Sequence, residues 1–142
     1  MAQRKEKYIV VEGPIGVGKS SLARKLASTY GTELLLEKPE ENPFLQRFYE
    51  SPEHYALPVQ LFFLFQRVRQ LDEFAQQAFR KSGCVGDFMI EKDPLFAELN
   101  LDEDEFKLYE QAFQSLTLST RQPDLVVYLQ SPLMMLLIIS VA

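Results

Sequence analysis

The stretch that decides the fold is Tyr8 to Tyr30, YIVVEGPIGVGKSSLARKLASTY. Within it Gly13-Pro14-Ile15-Gly16-Val17-Gly18-Lys19-Ser20 fits the phosphate-loop spacing G-x-x-x-x-G-K-[ST]. The pattern alone can arise by chance, so its surroundings decide. Tyr8-Ile9-Val10-Val11 is short, β-branched and nearly all apolar, as expected of a strand buried on both faces of a parallel sheet. After the loop Leu22, Ala23, Leu26 and Ala27 recur at helical spacing, and Gly31 stands where a helix would stop. A glycine-rich turn that binds nothing is the bland alternative. Strand, loop and helix in that order argue against it.

The physical basis is local. The loop glycines let consecutive N–H groups turn inward around an anion. A helix starting near Lys19 adds its positive dipole end and unpaired N–H groups. The nucleotide-binding run expected here is Gly13, Pro14, Ile15, Gly16, Val17, Gly18, Lys19, Ser20 and Ser21. Lys19 would bridge the outer phosphates of ATP, and the Ser20 hydroxyl would ligate Mg²⁺.

At 142 residues the length fits one domain, 1–142, with a real core. Hydrophobic content of 46% with 25% charged residues is ordinary for a soluble globular chain. A net charge of -5 and a pI near 4.9 argue against non-specific nucleic-acid binding, which needs a basic surface. The lone cysteine, Cys84, excludes an internal disulfide and suits a reducing cytosol. MAQRKEKYIVVEG has no apolar core segment before the first strand, so no signal peptide is expected. No apolar run reaches the length of a membrane span.

Glu33 to Glu37 reads as a second strand with Leu34, Leu35 and Leu36 buried and Glu37 at its carboxyl end, where ligand crevices of open α/β sheets lie. KPEENPF follows as a turn with Glu40 and Glu41 solvated, and Phe44 to Glu50 as a short helix. Ser51-Pro52 reads as the N-cap and first-turn proline of a long helix running to about Lys81, with Pro58 kinking it or marking its true start. Leu64, Val68, Leu71, Ala75 and Ala78 form its apolar stripe. Gln60, Phe63 and Arg67 share another face, the makings of a base-binding wall; spacing alone favours a solvated Gln and Arg beside a core Phe. Gly83 to Asp87 reads as a third strand ending in a carboxylate, which makes Asp87 the best-placed acid near Mg²⁺. Asp93, Pro94 and Phe96 fall in a loop and helix start. The cluster Asp102-Glu103-Asp104-Glu105 reads as a capped helix start rather than a metal site, with Phe106, Tyr109, Phe113 and Leu116 on the buried face. Asp124 to Gln130 is a fourth strand. His54 reads as a surface residue and Cys84 as a small core residue.

With these residues in view, the chain resembles the deoxynucleoside kinase family, which has the fold of the thymidylate and nucleoside monophosphate kinases. The segments that carry the resemblance are GPIGVGKSS, LEKPEENPFLQRFY, SPEHYALPVQLFFLFQR and DFMIEKDPLF, in family order from Tyr8 to Gln130. The DFMIEKDPLFAEL wording is most similar to a bacterial, deoxyadenosine/deoxyguanosine kinase-like branch. The resemblance implies a parallel α/β sheet flanked by helices. It makes Glu37 the base for the nucleoside 5′-hydroxyl, gives Tyr49 the sugar 3′-hydroxyl and Gln60 a paired bond to the base edge, and sets Arg67 and Asp93 beside the base. It places Lys19 and Asp87 in the catalytic machinery, with Ser20 and Asp87 at Mg²⁺. For Gln60 it overturns the bland account. It also implies a cytoplasmic homodimer formed through the long helices and serving nucleotide salvage.

Two departures stand out. Phe88 and Met89 occupy the positions of the arginine and serine in the family's [DE]-R-S motif. After Gln130 the resemblance leads to a helix, an arginine-rich lid and a fifth strand, whereas SPLMMLLIISVA has no arginine and reads as a truncated or frame-altered apolar tail. Ser131-Pro132-Leu133 would open the expected helix, and a tail without a partner strand would leave a sheet edge open.

Three functions compete on these grounds. The first is ATP-dependent phosphorylation of a deoxynucleoside, with a purine preferred because Arg67 and Asp93 offer a donor and an acceptor. The second is a catalytically silent remnant that binds nucleotide or nucleoside, or pairs with a full-length copy. The third is a kinase of the same fold acting on a different acceptor, such as a nucleotide or a vitamin-precursor alcohol.

Overall fold

Apolar residues on both sides of a strand demand cover on both sides, and Lys7–Glu12 (β1) meets that demand, with Tyr8, Val10 and Val11 at most 1% exposed. The computed structural model describes residues 7–14, 18–77, 83–130 and 135–140. Its further strands are Glu33–Leu35 (β2), Gly83–Gly86 (β3), Leu125–Gln130 (β4) and Met135–Ser140 (β5), in the order β2-β3-β1-β4-β5. The first four run parallel, and β5 pairs antiparallel with β4 from Leu125↔Ser140 to Gln130↔Met135.

The helices are Lys19–Tyr30 (α1), Leu45–Glu50 (α2), Pro52–Gln77 (α3), Asp93–Asn100 (α4) and Glu103–Thr117 (α5). The chain divides into two compact units, one of Met1–Glu37, Glu73–Met89 and Arg121–Ala142, the other of Lys38–Asp72 and Ile90–Thr120. The first holds the sheet. Its core joins Val11, Val85 and Val127 from three strands to Ala23 and Ala27 of α1, with Leu22, Leu26, Leu34 and Leu125 packed around them. Small alanines on the inner face of α1 bring the helix close to the strands. Asp124 ties β4 to β1: its carboxylate accepts the Tyr8 N–H at 2.7 Å, and its own N–H donates to the Tyr8 carbonyl at 2.8 Å.

The second unit is helical. Asn42 organises its first loop, donating from Nδ2 to the Val59 carbonyl at 3.1 Å and accepting the Phe44 N–H at 3.0 Å. The Gln66 amide donates to the Lys38 carbonyl and to Glu41, which holds the Pro39–Glu41 turn against the same helix while Glu40 and Glu41 stay exposed. Asp102 and Glu105 form the expected capping box at the start of α5, each side chain accepting the other's backbone N–H. Tyr109 is the fully buried residue of that helix; Phe106 and Phe113 stack on its ring at 6.1 Å on either side and are half-buried, as is Leu116.

Several details differ from the reading of the sequence. The apolar tail does not lie unpaired: β5 covers the outer edge of β4, with six consecutive residue pairs in register, so that the backbone groups of β4 facing that edge find partners. Residues 131–133, expected to open a helix, lie outside the described residues. The long helix starts at Pro52 and passes through Pro58, so Pro58 is not its start. The Ser51 hydroxyl meets Nδ1 of exposed His54 at 3.0 Å rather than a backbone N–H of the first turn. Along α3 the stripe holds at Leu64, Val68 and Leu71 but moves from Ala75, which is exposed, to Phe74, whose ring lies 6.1 Å from that of Tyr8. A helix of 3.6 residues per turn drifts away from a strict seven-residue repeat. Ala78 and the expected helix end near Lys81 lie outside the described residues. Leu34, Leu35 and Leu36 are half-buried rather than buried.

Two consequences are measurable. Gly83 has φ +122, and a Cβ there would meet the Lys7 backbone oxygen at 2.4 Å. Gly83→Ala is expected to lose roughly 2–4 kcal/mol in chemical denaturation; a loss below about 0.5 kcal/mol, the usual size of a neutral surface change, would contradict the packing. Burial, reinforced by the charge of Glu33, pushes the Cys84 thiol up to about 12. Its thiolate is therefore scarce at pH 8, and an aromatic disulfide reagent should label it only after denaturant is added.

Candidate active site

Carboxylates at or just beyond the carboxyl ends of three strands build this site; β2 stops at Leu35, two residues short of the Glu37 expected to end it. β1 ends in Glu12, the chain just beyond β2 carries Glu37, and Asp87 follows β3 directly. Asp87 is buried, and three hydrogen bonds fix it. Its Oδ1 accepts the Glu37 N–H at 2.8 Å, its Oδ2 accepts the Ser20 hydroxyl at 2.9 Å, and its own N–H donates to the Leu35 carbonyl at 3.1 Å. The acid that was expected near Mg²⁺, the loop serine and the residue expected to act as base are thus bound to one another. Glu37 itself is half-buried.

The loop closes on α1 through Gly18, whose left-handed φ of 93 suits a residue without a Cβ. Its carbonyl accepts the Leu22 N–H at 3.0 Å, the first turn of the helix. Gly13, Pro14, Gly18, Lys19, Ser20 and Ser21 are described; Ile15, Gly16 and Val17 lie outside the described residues. Lys19 is half-buried, and its Nζ lies 4.0 Å from Oε1 of Glu12, which also accepts the Gly13 N–H at 3.1 Å. Glu12 was missed in the sequence reading. Its signal was there: a carboxylate at the carboxyl end of an apolar strand, the same cue that singled out Glu37 and Asp87.

The other predicted residues sit in the helical unit. Gln60 is 6% exposed, and among the described residues its amide has no hydrogen-bond partner. Two turns further along α3, the Arg67 guanidinium lies over the Phe63 ring at 4.9 Å, so the shared face expected from spacing exists. Arg67 donates to Oδ1 of Asp93, and the Tyr109 hydroxyl donates to Oδ2. Burial raises the Asp93 carboxyl, with Arg67 and the Tyr109 bond opposing that effect. Burial, then the charge of Asp93, raise the Tyr109 phenol, which stays protonated and donates. Tyr109 had been read only as a core residue of α5; nothing in its spacing marks the bond its hydroxyl makes. Tyr49 is 72% exposed, with its ring tilted against that of Phe48. Phe88 is 2% exposed, a core side chain where the family motif has an arginine.

The oxygens of Ser20 and Asp87 fit Mg²⁺, a hard cation that takes one or two protein oxygens and completes its shell with water and phosphate. Among the described residues no group of three or more His, Cys, Asp or Glu is placed to hold a metal by itself. None of the described helices is long and apolar enough to cross a membrane.

Comparison with known proteins gives a consistent picture. The chain is 31% identical over 131 residues to deoxyguanosine kinase of Bacillus subtilis, covering 92% of this chain and 63% of that protein. It is 33% identical over 131 residues to deoxyadenosine kinase of Lactobacillus acidophilus, covering 85% and 59%. A solved deoxyadenosine kinase from M. mycoides with bound dATP superposes with a TM-score of 0.70 at 25% identity, over 86% of this chain and 63% of that one. This chain therefore spans about three-fifths of the length of these relatives. The model of the family described as "Deoxynucleoside kinase" matches residues 9–138, and the chain belongs to the deoxynucleoside kinase family.

Proposed function

We propose that this protein transfers the γ-phosphoryl group of ATP to the 5′-hydroxyl of a deoxynucleoside, giving the 5′-monophosphate and ADP. The observation that carries this reading is the Asp87 junction, which binds Ser20 of the phosphate loop and the backbone of Glu37 to one carboxylate. Lys19 and the loop N–H groups would hold the triphosphate, and Ser21 would extend that contact. Glu37 would take the proton as the 5′-oxygen bonds to the γ-phosphorus and the bond from that phosphorus to the β,γ-bridging oxygen breaks. Gln60 would pair with the base edge, with Arg67 and Asp93 beside it, and Tyr49 would turn to the sugar 3′-hydroxyl. Ser20 and Asp87 would hold Mg²⁺, which when bound neutralises charge on the phosphates. Catalysis then rests on positioning and charge neutralisation.

A purine deoxynucleoside is the proposed acceptor, in keeping with relatives described as deoxyguanosine and deoxyadenosine kinases. The Gln60 amide, without a hydrogen-bond partner among the described residues on a residue only 6% exposed, supports a base over an acceptor without one. One 1–142 kinase domain, a homodimer through the long helices and a cytoplasmic role in nucleotide salvage belong to the same proposal. A second reading, binding of nucleotide and nucleoside without turnover, is favoured by one observation. Phe88 is buried where the family motif supplies a positive charge to the transferring group.

Single-turnover transfer from ATP·Mg to the four deoxynucleosides separates the two readings. Phosphorylation that falls ~10²–10⁴-fold in Glu37→Gln, the usual worth of a general base, is the expected result. Retained binding with no transfer to any of them would select the silent reading. Asp87→Asn should lower the Mg²⁺-dependent part of ATP affinity at least ~10-fold, within the usual range for a perturbed metal site. Equal Mg²⁺ dependence in the variant and the wild type would remove Asp87 from the metal.

A further inference from the structure

Both oxygens of Asp93 are taken by protein donors. Arg67 bonds Oδ1, the Tyr109 hydroxyl bonds Oδ2, and the Asp93 side chain is 0% exposed. A carboxylate so enclosed has no face turned to solvent, whereas the Arg67 side chain retains 14% exposure. Rigid aromatic contacts brace the arrangement at both ends. Phe63 lies beneath the guanidinium at 4.9 Å, and Phe106 and Phe113 stack on the Tyr109 ring at 6.1 Å. Tyr109 is itself 0% exposed, so its hydroxyl has no water to turn to and must keep Asp93 as its partner.

We propose that Tyr109 is a positioning residue for base selection: it fixes Asp93, and Asp93 in turn fixes the guanidinium of Arg67 in the orientation from which it reads the base. The proposal rests on the nucleoside reading above. It assigns Asp93 an indirect role, because the acceptor expected to face the base already serves two donors within the protein. Base reading then falls to the donors of Arg67 together with the donor and acceptor of the Gln60 amide. A tyrosine two helices away in sequence from Gln60 becomes a determinant of specificity, although it touches no ligand.

The test is calorimetric titration of the four deoxynucleosides, and separately of ATP, into the 142-residue chain and its Tyr109→Phe, Arg67→Ala and doubly substituted forms. Tyr109→Phe should weaken the preferred deoxynucleoside roughly 5- to 10-fold, as for loss of one buried hydrogen bond. It should also narrow the ratio between preferred and disfavoured bases and leave ATP binding unchanged. On the Arg67→Ala background the same change should have no further effect. Unaltered deoxynucleoside affinities and ratios in Tyr109→Phe, with only a lower melting temperature, would reduce Tyr109 to a packing role and overturn the proposal. Failure of the wild type to bind any deoxynucleoside would overturn the nucleoside reading, and this proposal with it, a result distinct from the former. Should Tyr109→Phe not fold, 3-fluorotyrosine at position 109 keeps the hydroxyl and supplies a fluorine resonance. That resonance should move with deoxynucleoside in the wild type and stay fixed in Arg67→Ala; no movement in the wild type would overturn the proposal.

Discussion

The carboxylate of Asp87 is a buried charge that must be compensated, and its compensation joins the chain beyond β2, the end of β3 and the first turn of α1. Its oxygens accept the Glu37 N–H and the Ser20 hydroxyl, and its N–H returns a bond to Leu35. Hydrogen bonds to a charged group contribute about 1.5–3 kcal/mol each, and an unmet buried charge costs more than that. Parallel pairing along β1, β2 and β3 sets the strands side by side, but it does not specify how the loops at their carboxyl ends meet. Asp87 does. Its bonds hold the backbone of Glu37 and the loop serine in one place, which is why the proposed chemistry depends on this side chain before any other.

A second buried charge organises the helical unit. Asp93 opens α4 and receives Arg67 from α3 and Tyr109 from α5, so three helices converge on one carboxylate. Such a pair adds little net stability compared with an apolar core, yet removing one partner is costly because the other stays buried and unmet. Its value lies in orientation. A guanidinium held over Phe63 by a carboxylate that is itself held has few directions left to point.

Departures from simple rules carry information of two kinds. Phe88 belongs to the core, and apolar burial there leaves no place for a charged side chain to take its position cheaply. The apolar segment of β5 would be an aggregation hazard as a wholly unpaired strand, but its pairing with β4 covers the edge of β4 and satisfies one side of β5 itself. Both outcomes follow from the need to cover apolar surface and to satisfy backbone groups.

Much of this molecule was legible in its sequence because the signals were local. The β-branched run before the glycine loop, the alanine and leucine spacing of α1, the capping box at Asp102 and the carboxylates of Glu37 and Asp87 at strand ends all depend on residues a few positions apart. The shared face of Gln60, Phe63 and Arg67 followed from helical periodicity alone. Glu12 carried the same strand-end cue. What only tertiary structure decided were bonds between residues distant in the chain: Ser20 to Asp87, Arg67 and Tyr109 to Asp93, Phe74 to Tyr8, and the pairing of β5 with β4. Periodicity tells which face of an element is buried. It does not tell which polar group from another element will meet a buried acid, because that choice is made by packing and by the cost of leaving a charge unpaired.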